Sequence, residues 1–67
     1  MKINGVTFNT EEPEIIEVLD VLDEHDCSVA VAGYSDDGTE YSAIGFVSCG
    51  ELVDIEEHTI ELIAKGE

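Results

Sequence analysis

Only two side chains in this sequence carry a fixed positive charge, Lys2 and Lys65, and arginine does not occur. Nucleic-acid binding draws most of its affinity from Lys and Arg set against phosphates, so the composition argues against direct DNA or RNA binding. Anionic lipid headgroups repel the same surface. Long apolar runs are also missing: no stretch approaches the ~20 residues that cross a bilayer. The opening Met1-Lys2-Ile3-Asn4-Gly5 lacks the apolar region of a secretory leader. A cytoplasmic protein without membrane contact is expected. Cysteine occurs twice, at Cys27 and Cys49, enough for one disulfide, but the hairpin register expected below sets the two on opposite faces, beyond a disulfide's short reach. Free thiols in a reducing compartment are the expected state. Glycine-rich phosphate loops are absent, since Gly33, Gly38, Gly45 and Gly50 stand alone.

What the chain has in excess is acid. Seventeen Asp and Glu residues among 67 give a formal charge of −15, while 43% of the residues remain hydrophobic. Fifteen carboxylates have no lysine to neutralise them and must face water, salt or a positively charged partner. The radius of gyration expected for this length is roughly 11 Å and the Debye length at physiological salt about 8 Å. The acids therefore repel one another across much of the body, which opposes folding. Solubility alone asks for a net charge of only about 2–8 in a small domain. Salt adaptation would also produce acidity, but the isoleucine content and the excess of Glu over Asp do not fit it.

The apolar residues fall in periodic runs bounded by turn residues, the mark of one folded domain spanning residues 1–67. Residues 2–8 predict a first strand with a tight turn or bulge at Asn4-Gly5. Thr10-Glu11-Glu12-Pro13 reads as a helix start with Thr10 as N-cap. Ile15, Val18, Leu19 and Leu22 then repeat at i, i+3, i+4, i+7, with Glu17, Asp20 and Glu24 opposite, the pattern of an amphipathic helix ending near His25 and Asp26. Residues 27–49 read as a hairpin about Asp37-Gly38. A two-residue type I′ loop there would set Asp36 opposite Thr39. It would gather Val29, Val31, Ile44 and Phe46 on a core face, and Tyr34, Tyr41, Ala30, Ala32, Ala43 and Gly45 on the other. Asp54 followed by Glu57 has capping-box spacing and predicts a second helix, with Ile55, Thr59, Leu62 and Ile63 on one side and Gly66 at its C-terminal end. The expected fold class is α+β in the order β-α-β-β-α: a three-stranded sheet packed against two amphipathic helices.

Little in this layout suggests catalysis. Pairs such as Glu17 with Asp20, or Glu56 with Glu57, arise by chance in so acidic a chain, and a glycosidase-type site also needs a cleft and one raised pKa. Zinc ligation wants close Cys or His pairs, and only His25-x-Cys27 comes near. Asp36-Asp37-Gly38 with Glu40 does not have the spacing of a calcium loop. No cofactor, no metal and no enzymatic activity are expected.

Carboxylates on successive helix turns recur at about 5–6 Å, and Arg grips carboxylate and phosphate alike through paired hydrogen bonds. The expected partner is therefore a basic, nucleic-acid-binding surface of another protein, bound quickly and in a salt-sensitive way. The candidate contacts are Glu14, Glu17, Asp20, Asp23 and Glu24 on the first helix, Asp36, Asp37 and Glu40 at the hairpin tip, and Glu57 and Glu61 on the second helix. Tyr34 and Tyr41 would act as anchors, since tyrosine is enriched in interface hot spots. In size, acidity and compact pattern the chain resembles the small phage-encoded inhibitors that mimic DNA, of the anti-restriction and anti-CRISPR type. The resemblance rests on overall character and carries no residue motif. It implies an inhibitor that blocks a host nuclease or CRISPR complex in the host cytoplasm. The competing expectation is a structural or adaptor domain, homodimeric through the Ala/Gly/Tyr sheet face, whose acidity serves solubility.

Overall fold

Alternating valine and small residues through the middle of the chain build a long antiparallel ladder, and every other element attaches to it. A computed structural model describes residues 1–66. Its strands are β1 Lys2–Ile3, β2 Val6–Thr7, β3 Glu14–Val21, β4 Asp26–Ser35, β5 Glu40–Ser48, β6 Glu51–Ile55 and β7 Glu61–Ala64, with one 3₁₀ turn at Glu57–Thr59. All seven strands belong to one antiparallel sheet. No α-helix occurs among the described residues, and no helix is long and apolar enough to cross a membrane.

The centre is β4 against β5, paired from Asp26↔Ser48 to Tyr34↔Glu40. Along the other edge of β4 lie β2, opposite Tyr34 and Ser35, and then β3, opposite residues 27–32. Along the other edge of β5 lie β7, opposite residues 40–42, and then β6, opposite residues 45–48. At the join between β6 and β7, Ile44, paired with Ala30 on its β4 side, has no strand partner on the other. Its carbonyl accepts from the Glu56 N–H at 2.9 Å, and its N–H donates to Thr59 Oγ1 at 2.8 Å. The ladder is thus satisfied across the gap.

A single sheet this small makes a core only by curling onto itself. Val6, Phe8, Val29, Val31, Ala43, Val47, Leu52 and Ile55 are buried together, with Ile3, Cys27, Tyr41 and Ile60 packed against them. The two sides of the sheet meet across this inner face: the Leu52 N–H donates to the Thr10 carbonyl at 2.9 Å, and Asn4 Nδ2 donates to Glu57 Oε1 at 3.0 Å. Glycine at two inner positions permits the close approach. A Cβ on Gly33 would stand 2.6 Å from the Phe8 ring and 2.9 Å from the Thr7 carbonyl, and one on Gly45 would stand 2.7 Å from Leu52 Cδ1.

Three sequence expectations are overturned. The predicted first helix is β3. Thr10 does not cap a helix; instead Asn9 Oδ1 accepts from the N–H groups of Glu11 and Glu12, a local turn that leads through Pro13 into extended chain. The i, i+3 spacing survives because β3 is bulged twice against β4. Ile15 and Glu17 oppose Val31 and Ala30, and Val18 and Asp20 oppose Val29 and Ser28, leaving Ile16 and Leu19 as the extra residues. The branched side chains of Ile15, Ile16, Val18 and Val21 suit a strand better than a helix. The predicted second helix is β6, the 3₁₀ turn and β7. Asp54 Oδ1 accepts from its neighbour Ile55 N–H at 2.9 Å, and no side chain caps the 3₁₀ turn. The fold is therefore all-β, with seven strands in place of a three-stranded sheet and two helices.

The third correction is one residue of register. The Gly38 N–H donates to the Ser35 carbonyl and the Ser35 N–H to the Thr39 carbonyl, both at 3.0 Å. Gly38 has φ +84° while Asp37 lies outside the positive-φ region. That is a three-residue loop with glycine in the left-handed position, and a type I′ turn would need positive φ at both central residues. The slip sends Ile44 and Phe46, opposite Ala30 and Ser28, to the outer face, and brings Ala43 and Gly45, opposite Val31 and Val29, to the inner one. The two-residue type I′ geometry appears instead at Asn4-Gly5, where φ is 51° and 81°, and at Cys49-Gly50, where φ is 53° and 81°.

Gly33→Ala should destabilise the protein by about 1–3 kcal/mol, because the added methyl overpacks the Phe8 contact. Phe8→Ala should cost about 3–5 kcal/mol and leave little net stability. Urea unfolding midpoints at constant m-value read both changes.

Candidate functional site

The slipped register creates a mixed outer face bordered by acids on both sides. Side chains directly opposite in an antiparallel pair share a face. Glu14, Glu17 and Asp20 of β3 therefore stand beside Ala32, Ala30 and Ser28 of β4, and these beside Ser42, Ile44 and Phe46 of β5. Beyond β5 come Glu61, opposite Ser42, and Asp54, opposite Phe46. Their β4 partners Ala32, Ala30 and Ser28 are two positions apart, about 7 Å, and the bulges at Ile16 and Leu19 let the β3 carboxylates keep roughly that spacing. The row on β3 and the acids on β6 and β7 are separated by three strand intervals, about 14 Å.

Three shallow hollows follow this face. One, about 400 Å³, lies between Asp20 and Leu22 on one side and Asp54 and Glu56 on the other, over Ser28 and Phe46. The next lies between Leu19 and Glu61, over Ala30 and Ile44, with His58 at its rim. The last is lined by Glu12, Glu14, Ala32 and Tyr34. Acids border each of them.

Tyr34 joins the β3 row to the hairpin. Its hydroxyl donates to Glu14 Oε2 at 2.7 Å and lies 3.5 Å from Glu40 Oε2. The Glu14 hydrogen bond is the main reason the phenol is pushed up to about 12; partial loss of hydration and the two carboxylate charges act in the same direction. At the tip, the Ser35 hydroxyl and then the Thr39 N–H donate to Asp37 Oδ1 and hold that carboxyl down at about 2. Asp37 thus orders the loop that sets the register.

The predicted contacts divide into separate places. Glu14, Glu17, Asp20, Tyr34, Glu40 and Glu61 belong to the outer face, the first three on a strand and not on the expected helix. Asp23 and Glu24 lie in the β3–β4 turn, where Asp23 Oδ1 accepts from the Glu24 N–H. Asp36 and Asp37 occupy the opposite tip, with Lys2 Nζ 3.7 Å from Asp36. Glu57 binds Asn4 at the closing seam. Tyr41 does not share a face with Tyr34: it opposes Gly33 and packs on the core. The Ala/Gly/Tyr platform expected as a dimer face is not formed, because Ala43 and Gly45 point inward with Tyr41.

The expected site omitted Glu12, Asp54 and Glu56, and the apolar floor of Ile44 and Phe46. Reading Asp36-Asp37-Gly38 as a three-residue loop would have placed Ile44 and Phe46 correctly. Cys27 and Cys49 are free. Among the described residues no group of three His, Cys, Asp or Glu side chains is placed to hold a metal ion. No family model matches this chain, and neither a curated protein nor a solved structure matches it.

With Tyr41→Phe removing the second phenol, the ultraviolet titration of Tyr34 should have its midpoint near pH 12, and Glu14→Gln should bring it down toward 10. Because the folded-state value is raised, the stabilisation from this contact is complete below pH 10 and is lost as pH rises through 12. Asp37 behaves in the opposite sense. Its contribution is present above about pH 3.8 and disappears as pH falls toward 2. Ser35→Ala should raise the Asp37 midpoint in a carboxyl-carbon NMR titration.

Proposed function

We propose that this protein is a binding protein, without catalytic activity, whose acid-bordered outer face occupies a basic, nucleic-acid-binding surface of another protein. The observation that carries this reading is the arrangement of Glu14, Glu17 and Asp20 along one side of an open face and Asp54, Glu56 and Glu61 along the other, with no lysine among the residues between them. A surface shaped to grip a duplex places cations where two phosphate strands run. The major groove of B-DNA is about 12 Å wide, comparable to the separation of the two acid borders. The apolar floor adds contact area that phosphate mimicry alone would lack.

The target class follows from the same chemistry: a nuclease or nucleic-acid-guided complex with an Arg- and Lys-lined channel. A phage-encoded inhibitor acting on such a protein in the host cytoplasm is the biological setting this reading favours. Electrostatic steering should make association fast and strongly salt-dependent.

The triple substitution Glu14→Lys, Glu17→Lys, Asp20→Lys removes the β3 row and reverses its sign. Retention of a nucleic-acid-binding protein from host lysate at low salt, loss at high salt, and weakening of roughly tenfold or more by the triple variant are the expected outcomes. Asp23→Lys with Glu24→Lys, at the far turn, should weaken capture much less. Circular dichroism shows whether each variant stays folded. Failure of the wild-type protein to retain any basic partner at low salt would sink the reading.

A further inference from the structure

The longest free edge of the sheet is also the strand with the most exposed large hydrophobic side chains. All eight residues of β3 are exposed, and Ile15, Ile16, Val18, Leu19, Val21 and the following Leu22 keep between 45% and 71% of their surface in contact with solvent. One edge of β3 is bonded to β4, and no strand pairs with the other edge among the described residues. The remaining edge strands are shorter: β1 has 2 residues, β6 has 5 and β7 has 4. An exposed apolar strand edge is a template for another chain, and proteins guard it with charge, bulges, lysine or proline. The three carboxylates and two bulges of β3 hinder pairing with a like-charged strand, whereas lysine or proline would also guard it against a cationic one. β3 carries neither.

We propose that the open edge of β3 receives an extended segment of the basic partner as an added strand, in which apolar residues alternate with Lys or Arg. This rests on the reading above and specifies how the partner is held. The register of β3 sets the pattern. Ile15, Val18 and Val21 share the face of Val31, Val29 and Cys27, whereas Glu14, Glu17 and Asp20 share the face of Ala32, Ala30 and Ser28. An incoming strand would cover the first set with its apolar side chains and set its cations beside the second, in the mode of strand addition. Main-chain hydrogen bonds to the free edge supply affinity, and the alternation supplies selectivity.

Charge selects this occupant over a second copy of the chain. Two copies paired through β3 would bring two bodies of −15 together and set carboxylates against carboxylates on one face, an unfavourable cross-strand arrangement. Their bulges at Ile16 and Leu19 would also have to accommodate each other. A cationic strand removes the first conflict and halves the second.

The test uses the intact protein and three synthetic peptides. The first is acetyl-Val-Lys-Val-Lys-Val-Lys-Val-Lys-amide; the second has the same sequence with every backbone nitrogen methylated, so that neither edge can donate; the third replaces lysine with glutamate. The expected result is that the first peptide binds at low salt and slows hydrogen exchange at β3 amides. The methylated peptide, equal in charge but unable to complete the ladder, should bind about tenfold or more weakly, and the glutamate peptide should not bind. Equal affinity for the two cationic peptides, or protection confined to residues outside β3, would overturn strand addition and leave the electrostatic reading intact. No binding of either cationic peptide at low salt would overturn both. Sedimentation of the protein alone as a dimer with β3 amides already protected would assign the edge to a second copy and overturn the proposal.

Discussion

The loop Asp36-Asp37-Gly38 is the constraint on which the rest depends. With Gly38 at positive φ and Ser35 bonded to Thr39, β4 and β5 pair in one register, and every side chain of β5 is assigned to a face. The small residues Ala43 and Gly45 go inward with Val29, Val31 and Gly33, which leaves room for Phe8, Leu52 and Ile55 to lie directly on the sheet. A register one residue different would drive Ile44 and Phe46 into that space. The core of this chain is a curled sheet closing on its own glycines, and it needs no second layer.

The same assignment organises the charge. Acids that a second layer would have crowded are spread along an elongated body of 39 × 18 × 17 Å. The two ends lie several Debye lengths apart, so the turn acids Asp23 and Glu24 scarcely feel Asp36 and Asp37 at physiological salt. Repulsion is concentrated instead at the borders of the outer face, where Glu14, Glu17 and Asp20 stand about 7 Å apart and where Tyr34 donates to Glu14. Retaining such a row opposes folding, and binding of a cationic partner, as proposed, would relieve it. The strand that carries the row also exposes Ile15, Ile16, Val18, Leu19 and Val21. The row and the apolar edge occupy the same eight residues.

The two missing helices show why local pattern misleads here. Apolar residues at Ile15, Val18, Leu19 and Leu22 match a helical stripe, but a strand bulged once every three residues presents the same spacing. What separates the two is the edge of β4, whose backbone groups must find partners and lie alongside this segment. Asp54 with Glu57 had capping spacing, yet the neighbouring edge of β5 offered residues 45–48 and then 40–42 as ladder partners, and branched Val53, Ile55, Ile60 and Ile63 accept extended chain readily. The hairpin, its approximate centre and the turn at Asn4-Gly5 were legible because each depends on a few adjacent residues. Of the candidate site, the acids were legible as acids, while their grouping was not.

The amino-acid sequence by itself determined the sign and excess of charge, the classes of partner that this charge repels, the position of the glycine turns and the strands that flank the central loop. These are sums over composition or consequences of short-range backbone sterics. Only the tertiary structure decided that residues 14–21 are a strand, that Ile44 and Phe46 lie outside, and that six carboxylates border one face. Side chains on a strand alternate with a period of two, so a single residue of register reverses every assignment, and register is set by closure of the whole sheet.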